Sequence, residues 1–296
     1  MGILLLLIVV FFIIYIVKKS QYEKTEYYHQ TKNSYLKLWF DKGLLGEFYI
    51  YKYLKPLSGY KRYLFNLYLP KGNEETTELD VVLLHESGIY IFESKNYSGW
   101  IFGTESQQYW TQTLPAGKGR SQKRQFYNPI IQNKGHLKWL QTFLSDQTLP
   151  YYSYIVFSDR CTLKNVTLTT GKHYVVNRYN LLSGIQKNIA KTGRQLSPDK
   201  IDILFKKLYP LTQIEEVEKI RHIKNIEQKK QRTTVSQNPP MEEKKNTVKE
   251  KRCPRCGGKL LIRTAAKGSG QGKKFLGCSN YPKCRYIENL TDEINP

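Results

Sequence analysis

The residue types with the clearest chemical potential lie near the middle of the chain. Glu93-Ser94-Lys95 closes a strand-like apolar run over residues 88–92. Side chains alternate between the two faces of a strand, so Glu93 and Lys95 point the same way. One face of the predicted strand therefore ends in a carboxylate and an ammonium, a pair suited to metal-assisted chemistry.

A second acidic residue is expected to join this pair across a hairpin. Residues 78–84 form another strand-like run, and the polar residues between the two runs predict a tight turn. If Glu86 and Ser87 are the loop residues, Asp80 lies directly opposite Glu93, with Cβ atoms about 5 Å apart. Two carboxylates so placed repel each other, so we expect a divalent cation, with Lys95 beside it, to compensate. A slip of one residue would instead send Asp80 to the other face.

This arrangement resembles the PD-(D/E)XK nuclease motif, with Leu79 where the motif's name has Pro. Over about residues 40–160 the chain is similar to the nuclease-related domain (NERD) family. The residues that carry this similarity are Gly46-Glu47, Thr77-Glu78-Leu79-Asp80, Gly88-Ile89-Tyr90, Glu93-Ser94-Lys95-Asn96, Gly99-Trp100-Ile101, Trp110 and Asn128-Pro129.

The resemblance implies a fold and a set of roles. The expected fold is a restriction-endonuclease-like α/β core, with a mixed central sheet flanked by helices. Asp80 and Glu93 would bind Mg²⁺ or Mn²⁺, and Lys95 would assist the attacking water. The alternation of strands and helices along the chain independently favours an α/β core.

Two helices are expected to add further residues to this site. The spacing of apolar residues predicts a helix over residues 41–54 that carries Glu47. By the same resemblance Glu47 is a candidate third acid, although a solvated acid in the first turn is an equal alternative. A later helix begins at Asn128-Pro129, and the resemblance gives its Gln132 a supporting role. His136 shares a face with Gln132 and is predicted to serve in packing or hydrogen bonding.

The charge of the chain indicates a polyanionic partner. The formal net charge is +22 at pH 7, which favours nucleic acid or anionic lipid headgroups. A Gly-rich basic loop is predicted between residues 117 and 124, where cations would neutralise phosphates and glycines would allow close approach. A solvated loop without function is the alternative. The cations of this loop are Lys118, Arg120, Lys123 and Arg124.

Four of the five cysteines form two close pairs near the end of the chain, Cys253 and Cys256, then Cys278 and Cys284. Two such pairs supply the four thiolates of a tetrahedral structural zinc site. Disulfides are the alternative, but a cytoplasmic location would disfavour them. Cys161 is expected to be a buried small apolar residue.

The same segment resembles the C-terminal zinc ribbon of bacterial type I topoisomerases, which binds single-stranded DNA. Cations for phosphates and aromatic rings for bases are what single-strand binding requires. The candidate nucleic-acid-binding residues of the ribbon are Arg255, Lys273, Lys274, Phe275, Tyr281 and Arg285. The chain shows no counterpart of a topoisomerase core, so the ribbon does not imply topoisomerase activity.

The N-terminal residues predict a membrane anchor. Residues 1–17 carry no charge and are almost wholly apolar, about 25 Å of helix. A cleaved signal peptide would have basic residues before this run, whereas here Lys18 and Lys19 follow it. The positive-inside rule then places the rest of the chain in the cytoplasm.

The predicted organisation is an anchor over residues 1–19, a nuclease-related domain over 40–160, an α/β extension over 161–210, a charged helix and linker over 211–250, and a zinc ribbon over 251–290. The leading functional hypothesis is a single-pass, membrane-anchored, metal-dependent nuclease acting on DNA. The alternative is a membrane tether that binds nucleic acid through a nuclease-like fold and no longer cleaves it.

Overall fold

A computed structural model describes residues 2–72, 75–117, 119–214, 221–222, 224–225, 252–264 and 274–289, with only the backbone of Thr264 and Lys274. The chain divides into two compact units, Met1–Glu227 and Gln228–Pro296. Most of the predicted charged helix and linker over 211–250 lies outside the described residues.

A five-stranded mixed sheet forms the centre of the first unit. Its strand order is β1-β2-β3-β7-β9, in which β1, β2 and β3 are antiparallel neighbours and β7 and β9 run parallel to β3. Short connections join the antiparallel pairs, whereas the parallel pairs need longer crossovers, through a second sheet and α5 (Pro129–Leu144) between β3 and β7 and through β8 (Cys161–Thr167) between β7 and β9. The strands are β1 (Lys61–Gly72), β2 (Glu75–His85), β3 (Gly88–Lys95), β7 (Tyr151–Phe157) and β9 (His173–Asn177).

Helices cover both faces of this sheet, and each face has its own hydrophobic cluster. The predicted α/β class, a mixed central sheet flanked by helices, is confirmed. One face packs against α1 (Gly2–Glu23), α2 (Glu26–Thr31), α3 (Tyr35–Phe40), α4 (Lys42–Leu54) and α6 (Leu181–Thr192), and the other against α5 (Pro129–Leu144) and α7 (Pro198–Leu208).

Residues 20–40 are rich in Tyr and Lys and weakly patterned, which predicts a juxtamembrane stalk or an approach to the first helix, but several of them belong to the core. Tyr22, Tyr27 and Tyr35 are buried, and their rings pack against one another and against Phe48. Tyrosine has an apolar ring and a polar hydroxyl. The buried face of a tyrosine-rich helix is therefore not evident from the pattern of hydropathy along the sequence. Tyr22 ends the first helix, so the predicted anchor leads directly into the folded domain.

A second sheet of four strands, in the order β6-β5-β4-β8, stands beside the first. The residue pattern after the Glu93 motif predicts two strands, at 100–102 and 108–113, and both runs correspond to strands of this sheet. The predicted basic loop over 117–124 is partly wrong, because Lys123 and Arg124 lie in an exposed edge strand whose backbone pairs with β5. The strands are β4 (Gly99–Thr104), β5 (Tyr109–Pro115), β6 (Ser121–Tyr127) and β8 (Cys161–Thr167).

In the first two strands of the central sheet, the regular alternation of side chains between the two faces is interrupted at one position in each strand. Leu79 and Val82 pack in the same hydrophobic cluster, although residues three apart in a regular strand point to opposite faces. Between them lies Asp80, and the neighbouring strand carries Asn66 at the same level with a left-handed φ of 52°. The pairing register between β1 and β2 is the same on either side of this position. The side chains of both strands therefore exchange faces together, and Asp80 lies where this exchange occurs.

The second unit contains a small antiparallel sheet in the order β10-β11-β12. Its buried centre is made of Cys253, Cys278 and Cys284, with Leu260 and Tyr286 packed against them. So small an apolar cluster is insufficient to hold a domain together without a further link. The strands are β10 (Leu260–Thr264), β11 (Lys274–Cys278) and β12 (Ile287–Asn289).

Candidate active site and cysteine cluster

The predicted hairpin register between β2 and β3 is confirmed. Val81 pairs with Phe92 and His85 with Gly88, which leaves Glu86 and Ser87 as the loop. The ladder stops at Val81, one step before Asp80 would face Glu93. At that step the backbone N–H of Ser94 donates to Asp80 Oδ2 at 2.7 Å. The carboxylate of Asp80 thus replaces the missing ladder partner and is fixed beside the end of β3.

Glu93, Lys95 and Gln132 form one connected group. Lys95 Nζ donates to Glu93 Oε1 at 2.5 Å and to Gln132 Oε1 at 3.2 Å. Gln132 lies in the first turns of α5, which begins at the Asn128 cap, whose side chain accepts from Ile130 N. The helix therefore holds the ammonium of Lys95 against the carboxylate of Glu93.

His136, predicted to serve in packing or hydrogen bonding, makes a hydrogen bond and lies next to this group. Its Nδ1 hydrogen-bonds with Thr77 Oγ1 at 2.8 Å, and its Nε2 is 3.2 Å from Glu93 Oε2, without the geometry of a hydrogen bond. Both Glu93 Oε2 and His136 Nε2 are fully buried and lack a hydrogen-bond partner. One oxygen of Glu93 is therefore satisfied by Lys95, while the other is directed at a histidine and remains open to a further ligand. The four-residue spacing from Gln132 was the available signal for His136.

Glu47 reaches the site from α4, on the other side of the sheet from α5. It is buried, so the alternative of a solvated first-turn acid is wrong. Its Oε2 accepts a hydrogen bond from Tyr27 OH at 3.1 Å. Burial, and then the charge of Asp80, raise the pKa of Glu47 well above its ordinary value.

The ionisable groups of the site shift one another's pKa values. Burial, followed by the charge of Glu93, raises the pKa of Asp80 well above its ordinary value. For Glu93 burial is the largest single influence and acts in the same direction, but Lys95 and His136 together outweigh it and lower the pKa. Burial would lower the pKa of Lys95, yet the charges of Glu93 and Asp80 raise it, so Lys95 is an ammonium here. Two buried carboxyl groups, Glu47 and Glu93, and the half-buried Asp80 thus share one ammonium.

These observations fit a divalent cation held by oxygen ligands. The unpartnered Glu93 Oε2 offers a free ligand atom, and the raised pKa values of Asp80 and Glu47 are what a cation would reverse. The acids do not converge as a closed set of three, because among the described residues only a cysteine cluster brings three or more ligand atoms within 4.8 Å. Asp80 and Glu93 are accordingly the two candidate ligands for such a cation.

A glycine lets α4 approach the end of β3. A Cβ at Gly46 would lie 2.4 Å from Ser94 Oγ and 3.3 Å from Asn96 Cβ, which is closer than packed atoms allow. Only glycine therefore permits Glu47, the next residue, to reach the level of Asp80.

Gly46→Ala is expected to destabilise the first unit by about 1–3 kcal/mol, because the added methyl forces α4 away from Ser94. Gly135→Ala is the matched control, since Gly135 is also helical and its added Cβ would meet nothing within 4 Å. There we expect a gain of about 0.5–1 kcal/mol from helix propensity. Thermal melting of both variants in one detergent measures the difference, and a Gly46→Ala protein that melts at or above the wild type would contradict the close-approach argument.

The predicted cations of the first unit that the structure describes are exposed and lie in or next to β6, the edge strand of the four-stranded sheet. Arg120, Lys123 and Arg124 are exposed, and the last two project from the edge strand β6. Arg124 donates to Gln122 Oε1 at 3.2 Å. Lys118 lies outside the described residues.

The four cysteines of the second unit come together as predicted from their spacing. Their sulfur atoms all lie within 4.8 Å of one another, with Cys253 and Cys284 Sγ atoms 3.7 Å apart and those of Cys256 and Cys278 3.3 Å apart. Tetrahedral zinc with Zn–S bonds of about 2.3 Å requires sulfur atoms about 3.8 Å apart. No cysteine is in a disulfide, so the group could hold a single metal ion.

The environment of these sulfurs differs from one to another. The backbone N–H of Gly258, followed by Cys278, lowers the pKa of Cys256 to about 6. The backbone N–H of Asn280 favours the Cys278 thiolate, but burial and the neighbouring cysteines outweigh it and raise the pKa of Cys278 to about 12. Four crowded thiols cannot all ionise by themselves, whereas a zinc ion binds all four as thiolates.

The ribbon residues predicted to bind nucleic acid differ in accessibility. Arg255, Arg285 and Tyr281 are exposed, whereas Phe275 is half-buried and presents less of its ring. Arg263, which the sequence reading missed, places its guanidinium 6.0 Å from the centre of the Tyr281 ring. Lys273 lies outside the described residues, and of Lys274 only the backbone is described, in β11.

Comparison with known families identifies both segments. Residues 42–158 match the nuclease-related domain family, and residues 250–293 match the family described as topoisomerase DNA binding C4 zinc finger. Both resemblances predicted from the sequence are confirmed. No solved structure matches the chain significantly.

The similar proteins fall into two groups, one similar over most of the chain and the other over a short stretch. An uncharacterized protein of Bacillus anthracis is 29% identical over 189 residues, which cover 64% of this chain and 85% of that protein. DNA topoisomerase 1 of Methanocaldococcus jannaschii is 56% identical over 55 residues, 18% of this chain and 7% of the enzyme. DNA topoisomerase 1 of Helicobacter pylori strain J99 is 42% identical over 60 residues, 17% of this chain and 8% of the enzyme. The chain thus spans under a tenth of these topoisomerases.

Proposed function

We propose that this chain, with its nuclease-related domain and topoisomerase-type zinc finger, is a membrane-anchored nuclease that hydrolyses phosphodiester bonds of DNA with Mg²⁺ or Mn²⁺. The observation that carries the proposal is that the two carboxylate oxygens of Glu93 have different surroundings. One of its oxygens accepts from Lys95 Nζ, and the other is buried beside His136 without a hydrogen-bond partner. A carboxylate left half-satisfied in the interior is costly, so it favours a site built for a further ligand.

In the proposed mechanism Asp80 and Glu93 hold the metal ion, with Glu47 as a candidate third acid. When bound, the ion activates a water molecule and neutralises charge on the phosphate. Asp80 is fixed for this task by the Ser94 N–H. A cation between the acids would also remove the repulsion that raises the pKa values of Asp80 and Glu47.

Lys95 acts in this scheme as a positioned cation. Its pKa is raised because burial is outweighed by Glu93 and Asp80, so it donates hydrogen bonds rather than accepting a proton. Gln132 holds the ammonium in place from α5. An ammonium at this position orients the water and stabilises the charge that develops on the phosphate oxygens. His136, held by Thr77, lies 3.2 Å from the second oxygen of Glu93.

The zinc finger segment is proposed to hold DNA while the first unit cleaves it. Four cysteines bind one structural zinc ion, and the exposed Arg255, Arg285 and Tyr281 contact the strand. Arg263 beside Tyr281 adds a cation next to the ring on which a base would stack. The exposed cations of β6 supply phosphate contacts on the nuclease-related domain.

The membrane anchor is proposed to be α1. The helix Gly2–Glu23 is long and apolar enough to span a membrane, and its most apolar 18-residue stretch is not covered by the protein. Large apolar side chains that are exposed to water are unfavourable, whereas a bilayer accommodates them. Lys18 and Lys19 follow the apolar stretch, so the remainder of the chain is proposed to lie in the cytoplasm.

A non-cleaving tether is the second candidate. The observation that favours it is the direct Lys95–Glu93 ion pair, which offsets one carboxylate without any metal ion. Such a protein would bind DNA and the membrane by the same surfaces, but it would have no use for the buried excess of acids.

A cleavage assay separates the two candidates. The full chain in detergent is incubated with supercoiled plasmid and with circular single-stranded DNA, in Mg²⁺, in Mn²⁺ and in EDTA. The nuclease proposal expects nicked or linear products in either metal and none in EDTA. DNA binding without products in both metals would leave the tether as the function.

A further inference from the structure

We propose that α3 is a second membrane contact, lying in the headgroup region of the same bilayer that α1 spans. This inference rests on the proposed anchor and extends it from one helix to a two-point attachment.

The outer face of α3 is apolar and uncovered. Leu36, Trp39 and Phe40 share one face by their spacing of three and four, and they are 54%, 54% and 86% exposed. The opposite face, Tyr35 and Leu38, is buried in the core. A helix that is apolar on both faces needs a partner on its second face as well as on its first.

The packing of α3 against α1 places the exposed apolar face of α3 at the level of the membrane surface. The Tyr35 ring lies 5.6 Å from the Tyr15 ring and 5.6 Å from the Tyr22 ring. Tyr15 and Tyr22 are seven residues apart, about 10 Å along a helix, and the uncharged stretch ends between them at Val17. The short helix α3 therefore packs beside the level at which α1 would leave the hydrocarbon.

The residue types fit a bilayer surface rather than a protein partner. Tryptophan and other aromatic residues are favoured at the membrane interface, where an apolar ring meets water. The exposed charged residues near the patch in the chain are mostly lysines, namely Lys18 and Lys19 on α1, Lys37 on α3 and Lys42 at the start of α4, against the acid Asp41. Cations beside an apolar face suit anionic lipid headgroups.

A consequence follows for the nuclease-related domain. Tyr22 and Tyr35 are both buried in the cluster that packs α4 against the sheet, so α1 and α3 are joined rigidly to the helix that carries Glu47. Two contacts with one bilayer fix the orientation of the domain, whereas a single helix on a flexible stalk would leave it free to rotate.

The test uses the tryptophan fluorescence of the full chain in vesicles of phosphatidylcholine and phosphatidylglycerol, with the phosphatidylcholine brominated in its acyl chains. Bromine quenches only tryptophans at the level of the lipid. Trp39→Phe is the test variant and Trp100→Phe the matched control, because Trp100 is equally exposed, at 51%, but lies on β4. Both substitutions keep an aromatic ring at an exposed position, so neither should disturb the fold.

We expect the wild type and Trp100→Phe to lose emission in brominated vesicles relative to unbrominated ones, and Trp39→Phe to show no such loss. Flotation of the same vesicles checks the anchor separately. A chain that floats with the vesicles but whose quenching is absent, or survives in Trp39→Phe, overturns the inference and leaves the anchor in place. If Trp39 is instead shielded from an aqueous quencher without bromine quenching, a second copy or another protein covers α3. A chain that does not float refutes the anchor of the proposed function, and this inference falls with it.

Discussion

Asp80→Asn and Glu93→Gln are each expected to lower the rate of metal-dependent DNA cleavage by at least about 100-fold, with unchanged affinity for single-stranded DNA. Each substitution removes one of the two proposed anionic ligands at the end of the hairpin. The proposed DNA contacts of the ribbon lie in the other unit, so the affinity should not depend on these acids. Cleavage of plasmid in Mg²⁺ and binding of a labelled single strand measure the two properties.

The two variants should differ in stability, which separates a loss of chemistry from a loss of fold. Asn at position 80 can still accept the Ser94 N–H through its amide oxygen, and it removes the repulsion with Glu93. Asp80→Asn should therefore melt at or above the temperature of the wild type. Glu93→Gln leaves Lys95 without its charged partner in the interior, which should cost about 1–3 kcal/mol.

Glu86→Gln is the matched control for both variants. Glu86 belongs to the same hairpin, but its carboxylate faces outward to Arg194 at 3.3 Å. We expect it to retain the cleavage rate of the wild type. An Asp80→Asn protein that cleaves as fast as the control would exclude Asp80 from the site and with it the two-carboxylate mechanism.

Cys253→Ser is expected to reduce bound zinc from about one ion per chain to none, and to weaken single-stranded DNA binding by about 10-fold or more. Cys253 supplies one of four sulfurs that meet at a single point, and the buried centre of the ribbon is formed largely by those cysteines. Without the metal ion, little apolar surface remains to hold β10 and β11 together. Zinc analysis of the purified protein and DNA titration measure the two effects.

Cys161→Ser is the matched control, because Cys161 is the remaining cysteine and lies in the first unit. Its thiol donates to Ser158 O at 3.3 Å, a contact that a serine hydroxyl can also make. Zinc content and DNA affinity should therefore equal those of the wild type. A Cys253→Ser protein that keeps both its zinc and its affinity would show that the ribbon is not a four-thiolate site. Removal of zinc should leave melting of the nuclease-related domain unchanged, since the two units have separate cores.

The sequence determined those features that depend on local spacing. The register of the β2–β3 hairpin follows from two apolar runs and a two-residue turn, because strand periodicity and turn length together leave one pairing that buries both runs. The cysteine cluster follows from two close pairs, since each pair lies on a short turn that directs both sulfurs inward. The apolar N-terminal helix is equally local, because its composition alone sets its length and its lack of charge.

Only the tertiary structure decided how the other elements meet this hairpin. The burial of Glu47 depends on Gly46 and Ser94, and the role of His136 depends on how α5 lies over the end of β3. The tyrosines of residues 20–40 become core residues through rings contributed by other helices. The face switch at Asn66 and Asp80 likewise needs both strands at once. Such contacts join residues that are far apart in the chain. A local pattern of apolar and polar residues does not indicate which distant residue will pack against a given side chain.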